Sequence, residues 1–120
     1  MIPECLKQQN DLYKALNAAE DLRSSLLDRP GEQKLEDAVA FIDQEIQELK
    51  RQISSLDDDV DKVFSILQEH GGSTAYSAAW LYYKCGMKWN EVAEFLGKSP
   101  EATKMTAYRM FDQLEDKGLI

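Results

Sequence analysis

"LEDAVAFIDQEIQELKRQISSLDDDVDKVFSIL", Leu35 to Leu67, decides the fold. Its apolar residues fall at Leu35, Val39, Ile42, Ile46, Leu49, Ile53, Leu56, Val60, Val63 and Leu67, with steps of four and three that never slip. Such a repeat is the a/d seam of a coiled-coil-like helix. The seam needs a covering surface, and the chain offers one upstream. Leu12, Leu16, Ala19, Leu22 and Leu26 form a second helical stripe, and Pro30-Gly31 between the two carries turn chemistry. Folding about that turn sets Leu26 opposite Leu35, Leu22 opposite Val39, Ala19 opposite Ile42, Leu16 opposite Ile46 and Leu12 opposite Leu49. The expected fold is therefore all-α: a long antiparallel helical hairpin over residues 1–70, followed by a smaller helical module over 71–120.

The first arm is too short to cover the seam beyond Leu56. Val60, Val63 and Leu67 must be covered by the C-terminal helices of the same chain or by a second subunit. Leu6, Tyr13, Leu27 and Phe41 lie off the seam and add apolar surface. A homodimer assembled through Tyr13, Leu27, Phe41, Val60, Val63 and Leu67 is the expectation, because an isolated helical pair buries little surface.

"LDDDVDK", Leu56 to Lys62, has two readings. Four aspartates attract a divalent cation, or they form a solvated helix face or an N-cap. No calcium-loop glycine and no flanking His accompany them, so the structural reading is preferred. The heptad phase runs through these residues, and the helix either continues or breaks near Asp57. His70 is the only His of the chain and is read as a helix-end residue. Catalytic, metal-binding and cofactor-binding roles are not expected. No phosphate-binding glycine loop or His/Cys constellation is present in the sequence, and "GGS" at Gly71 to Ser73 lacks the lysine and spacing of a P-loop.

No stretch approaches the length of a membrane span, and the first ten residues lack a signal-peptide pattern. Cys5 and Cys85 form no disulfide framework, so a reduced cytoplasmic setting is expected. The chain carries 14 Lys and Arg against 22 Asp and Glu, a net charge of -8. All of that excess lies in residues 1–70. Residues 71–120 hold six of each sign.

Downstream, Gly71-Gly72 breaks the chain and Ser73 or Thr74 is expected to cap a helix over Ala75–Cys85, with Cys85 as a buried helix-end thiol. Trp89-Asn90 opens the next helix, with Val92, Ala93, Phe95 and Leu96 inward. Gly97 supplies a left-handed turn residue. Ser99 caps the last helix, Pro100 stands at its first position and Glu101 in its first turn. Thr103, Ala107, Met110, Phe111 and Leu114 face inward. Trp80, Tyr82, Tyr83 and Trp89 are read as core aromatics rather than as base-stacking platforms.

The stretch "YYKCGMKWNEVAEFLGKSPEATKMTAYRMFDQL", Tyr82 to Leu114, resembles region 4 of bacterial sigma factors, in particular the small sigma-region-4-like regulators of the phage and prophage type. Tyr-Tyr-x-x-Gly precedes a scaffold helix, and Ser-x-x-x-x-Lys with a later Arg follows on a recognition helix. The resemblance implies a helix-turn-helix that binds double-stranded DNA and regulates transcription. It puts Ser99, Glu101, Ala102, Lys104, Met105, Thr106 and Arg109 on the major-groove face, and Lys98 and Lys88 near phosphates. The chain departs from the family pattern at Thr103, where an apolar β-branched residue is usual, and at Thr106, often basic. The alternative expectation is a protein-interaction module without autonomous DNA binding. Its partner would be RNA polymerase or a phage or host regulator, with the acidic hairpin competing for a nucleic-acid-binding surface.

Overall fold

The computed structural model describes residues 2–28 and 33–120. The described chain is all-helical: α1 (Glu4–Leu27), α2 (Gln33–His70), α3 (Ser73–Ala79) running into a π-helical turn (Trp80–Lys84), α4 (Trp89–Leu96) and α5 (Pro100–Asp116). A long α1–α2 pair followed by a small bundle is the architecture the seam and its turn chemistry call for. The Pro30-Gly31 turn itself lies outside the described residues. Packing groups the chain into two compact units, Asp11–Ser55 and Met1–Asn10 with Leu56–Ile120.

In the Asp11–Ser55 unit, Leu16, Ile42, Ile46 and Ile53 are buried together. Leu12, Tyr13, Ala19, Leu26 and Leu49 pack around them, half-buried. Three of the expected pairings thus fall inside one cluster. Leu22 does not: it is 52% exposed. The reason lies in the register. A seam stepping by four and three from Leu12 passes through Leu16, Ala19, position 23 and Leu26. Arg23 holds that position, and its Nε donates to Asp43 across the pair. Leu22 is one residue, about 100°, off the stripe.

The other unit is built around Leu6, Val60, Phe64, Leu67, Ala75, Ala79, Tyr83, Met110, Phe111 and Leu114. Val60 and Leu67, expected at an assembly surface, have no exposed area. The same chain covers them, and Val63 packs half-buried against the same cluster. The lower seam of α2 therefore needs no second subunit. Leu6, off the main seam, is likewise fully buried in this core.

α2 runs unbroken through Asp57–Asp61. Asp58 and Asp59 are exposed. Asp57 accepts from Gln9 Nε2 at 3.0 Å, and Lys84 Nζ donates to Asp57 at 3.3 Å and to Asp61 at 3.1 Å. Neither carboxylate is an N-cap, since both lie inside the helix.

The next helix differs from its expected form in three respects. Gly72, not Ser73 or Thr74, holds the N-cap position, and no side chain caps α3. Beyond Ala79 the helix widens into a π turn in which the Cys85 N–H reaches the Trp80 carbonyl at 3.1 Å. Cys85 is exposed rather than buried, because it follows the last π residue just before Gly86 reverses the chain at φ 73°. Widening disturbs the regular i→i−4 ladder, and the Tyr82 carbonyl within it accepts from Asn10 Nδ2 at 3.3 Å.

Candidate nucleic-acid interface

α4 begins where the Lys88 N–H donates to Glu91 Oε1 at 3.3 Å. Its inner face is Trp89, Val92, Ala93 and Leu96: Val92 and Ala93 are buried, and the other two pack half-buried on the Ala78, Val92 and Ala107 cluster. Phe95, expected inward, is 74% exposed. At 100° per residue those four side chains span one face, and Phe95 falls about 110° from its centre.

Gly97 ends α4 at φ 68° and ψ 32°. Lys98 N–H then bonds back to the Ala93 carbonyl at 3.0 Å, the backbone path of a left-handed C-terminal cap. Ser99 starts α5: its Oγ accepts from the Ala102 N–H at 3.2 Å, with Pro100 following at the first helical position. All five inward residues expected on α5, Thr103, Ala107, Met110, Phe111 and Leu114, are buried. Thr103 tolerates burial because its hydroxyl donates to the Ser99 carbonyl at 2.8 Å.

The opposite face of α5 is open. Ser99, Glu101, Ala102, Lys104, Met105 and Arg109 are exposed, as are Lys88 and Lys98, and Thr106 is half-buried. Thr106 Oγ1 donates to the Ala102 carbonyl at 2.7 Å, which commits its proton to the helix backbone. Met105, 48% exposed, lies diametrically opposite the buried stripe, with Glu101 and Asp112 beside it.

The two cations of the expected face are not neighbours. Lys104 and Arg109 are five residues apart, about 140° around the helix. Lys104 lies on one flank, its Nζ 5.6 Å from the Tyr108 ring centre. Tyr108 meets Trp89 edge-on at 6.3 Å, and Trp89 stacks on Tyr82 at 4.0 Å. That aromatic row is half-buried, whereas Tyr83 behind it is 3% exposed. Burial pushes the Tyr83 hydroxyl well above the usual tyrosine range. Arg109 lies on the other flank, where it lines a cleft with His70, Gly71, Gly72, Gln113 and Lys117. Nothing in the sequence marks this cleft, because its walls come from the end of α2 and the end of α5.

Of the side chains expected for assembly, Leu27 is 56% and Phe41 63% exposed. Tyr13 is half-buried against the hairpin cluster. No helix of the described residues is long and apolar enough to cross a membrane. Comparison with protein-family models, with curated proteins and with solved structures finds no match for this chain.

Proposed function

We propose that α4, the Gly97 turn and α5 form a DNA-binding helix-turn-helix of a transcriptional regulator, with α5 entering the major groove. One observation carries this reading. α5 is anchored by five buried side chains along one face and presents its whole opposite face, from a capped N-terminus, to solvent. That is how a recognition helix reaches base edges while its partner helix supports it. In this pose Glu101 accepts from a cytosine amino group, and Ala102 and Met105 contact thymine methyl groups. Lys104 and Arg109, on opposite flanks of the helix, reach the two phosphate walls, and Lys88 and Lys98 add contacts near the turn.

Few cations are engaged, so the affinity of one module is low and depends on assembly. A second copy, joined through Leu27 and Phe41 of the hairpin, raises apparent affinity by effective concentration. The test is titration of the full chain with duplex fragments over a salt series. Binding with a negative slope of log affinity against log salt is expected. Lys104→Ala with Arg109→Ala should abolish binding while the helical CD signal stays unchanged. Retention of wild-type binding by that double variant would overturn the assigned face.

A second reading rests on Phe95 and Met105, which are 74% and 48% exposed on the two helices of the module. Large apolar side chains in such positions favour a protein partner, such as RNA polymerase or another regulator. Under that reading binding to duplex DNA is absent, or is sequence-blind and confined to low salt.

A further inference from the structure

His70 at the end of α2 and Arg109 and Lys117 on α5 line one cleft of about 240 Å3. Among the described residues no acidic side chain lines it, although the chain holds 22 Asp and Glu against 14 Lys and Arg. Glu69 Oε2 lies 3.8 Å from His70 Nε2, and Glu69 is not part of the wall. Gln113 adds an amide, and Met110 contributes apolar lining. Gly71 is required for this construction. A Cβ there would lie 2.5 Å from Met110 Sδ and 2.6 Å from the Leu67 carbonyl oxygen, so any side chain would displace the wall.

We infer that this cleft binds a phosphate group. The guanidinium of Arg109 matches phosphate oxygens as a fork, the Lys117 ammonium acts as a point charge, and the His70 imidazole donates an N–H in either protonation state. Thr106 also borders the cleft, but its hydroxyl proton is already given to Ala102, so Gln113 supplies the neutral donor. The volume falls below the roughly 300–1,000 Å3 of pockets that enclose whole small molecules. It suits a single anionic group better than a complete cofactor. The phosphate comes from one of two sources: a backbone phosphodiester held beside α5, which rests on the DNA-binding reading, or the phosphate of a soluble molecule, which does not.

The experiment is an amide NMR titration of the full chain with inorganic phosphate, with chloride at matched ionic strength as control. Saturable shifts centred on Gly71, Gly72 and Lys117 are expected, and they should vanish in Arg109→Gln with Lys117→Gln. Both residues are exposed, so the core survives their replacement, and a matching far-UV CD spectrum verifies it. Shifts no larger than those with chloride, or unchanged in the double variant, overturn the inference. A labelled duplex then separates the sources. If phosphate competes with the duplex and the double variant flattens the salt slope by about two, the backbone is the ligand. Saturable phosphate binding with no effect on the duplex assigns a soluble phosphate. Lys104→Ala, on the opposite flank, is expected to lose duplex affinity while keeping the phosphate shifts. A wild-type chain that binds phosphate and no duplex therefore defeats the DNA-binding reading alone.

Discussion

Gly97 turns the chain at φ 68°, and a Cβ built there would meet nothing within 4 Å. Any penalty for a side chain is therefore backbone strain, free of steric collision. Gly97→Val should lose about 1–3 kcal/mol of stability, because a β-branched residue resists positive φ. Gly97→Asn should lose less, since Asn tolerates the left-handed region. Urea melts of both variants check this, and a Val variant as stable as Asn would contradict it. The two thiols offer a second test at this scale. Burial raises the Cys5 pKa and the nearby Asp59 carboxylate adds to the shift, whereas Cys85 is exposed. Thiolate is the reactive form. Iodoacetamide should label the exposed Cys85 readily and Cys5 slowly, with the Cys5 rate still climbing above the ordinary thiol range, as read by mass spectrometry. Equal rates would show that Cys5 is not held by its surroundings.

At the scale of the helices, legibility followed register. The inner face of α5 was readable because a cap, a first-turn proline and a 3.6-residue period all agree on it. Phe95 and Leu22 were misplaced because they are apolar, although the helical step puts each beside its stripe rather than on it. The π turn was not readable at all. Its neighbours in space are remote in sequence: Asn10, which donates to Tyr82, and Asp57 and Asp61, which hold Lys84. The cleft at Arg109 was hidden for the same reason. Lys84 gives the π turn a measurable handle. Burial opposes its charge, but hydrogen bonds to Asp61 and Asp57 outweigh that and raise its pKa. A raised pKa means the stabilisation is fully present below the ordinary lysine value and is lost as pH climbs through the raised one. Its side chain is 19% exposed while the carboxylates are 43% and 63% exposed, so solvent screens the pairs. Lys84→Met should therefore cost about 1 kcal/mol. The gap to wild type should stay flat around neutral pH and close only in strong alkali. Chemical denaturation across that range is the measurement, and no gap at neutral pH would refute it.

For the whole molecule, the question is what the remaining apolar surface supports. With Val60 and Leu67 covered by their own chain, and Phe95 and Met105 lying on the helix-turn-helix, the apolar surface proposed for self-association is on the hairpin, at Leu22, Leu27 and Phe41. Fully burying a side chain of this size is worth about 1.5–3 kcal/mol, and these are already partly covered. Association itself costs about 4–15 kcal/mol. Six such side chains in a symmetric pair, each a little over half exposed, supply roughly 5–10 kcal/mol, within the range of that cost, so the expected dimer is weak and depends on concentration. The unit Asp11–Ser55 also carries six basic and ten acidic residues, so two hairpins repel one another. Salt screens that repulsion. Self-association should therefore strengthen with added salt, whereas duplex binding should weaken. Phe41→Asp should remove the dimer and leave the helical CD signal unchanged. Ile46→Asp should melt the hairpin instead, because Ile46 is 6% exposed inside the seam and a carboxylate there is unpaired. Sedimentation over a concentration series at low and high salt decides the matter. A monomer at every concentration in both buffers would rule out the second copy and leave the exposed leucines and Phe41 to a different partner.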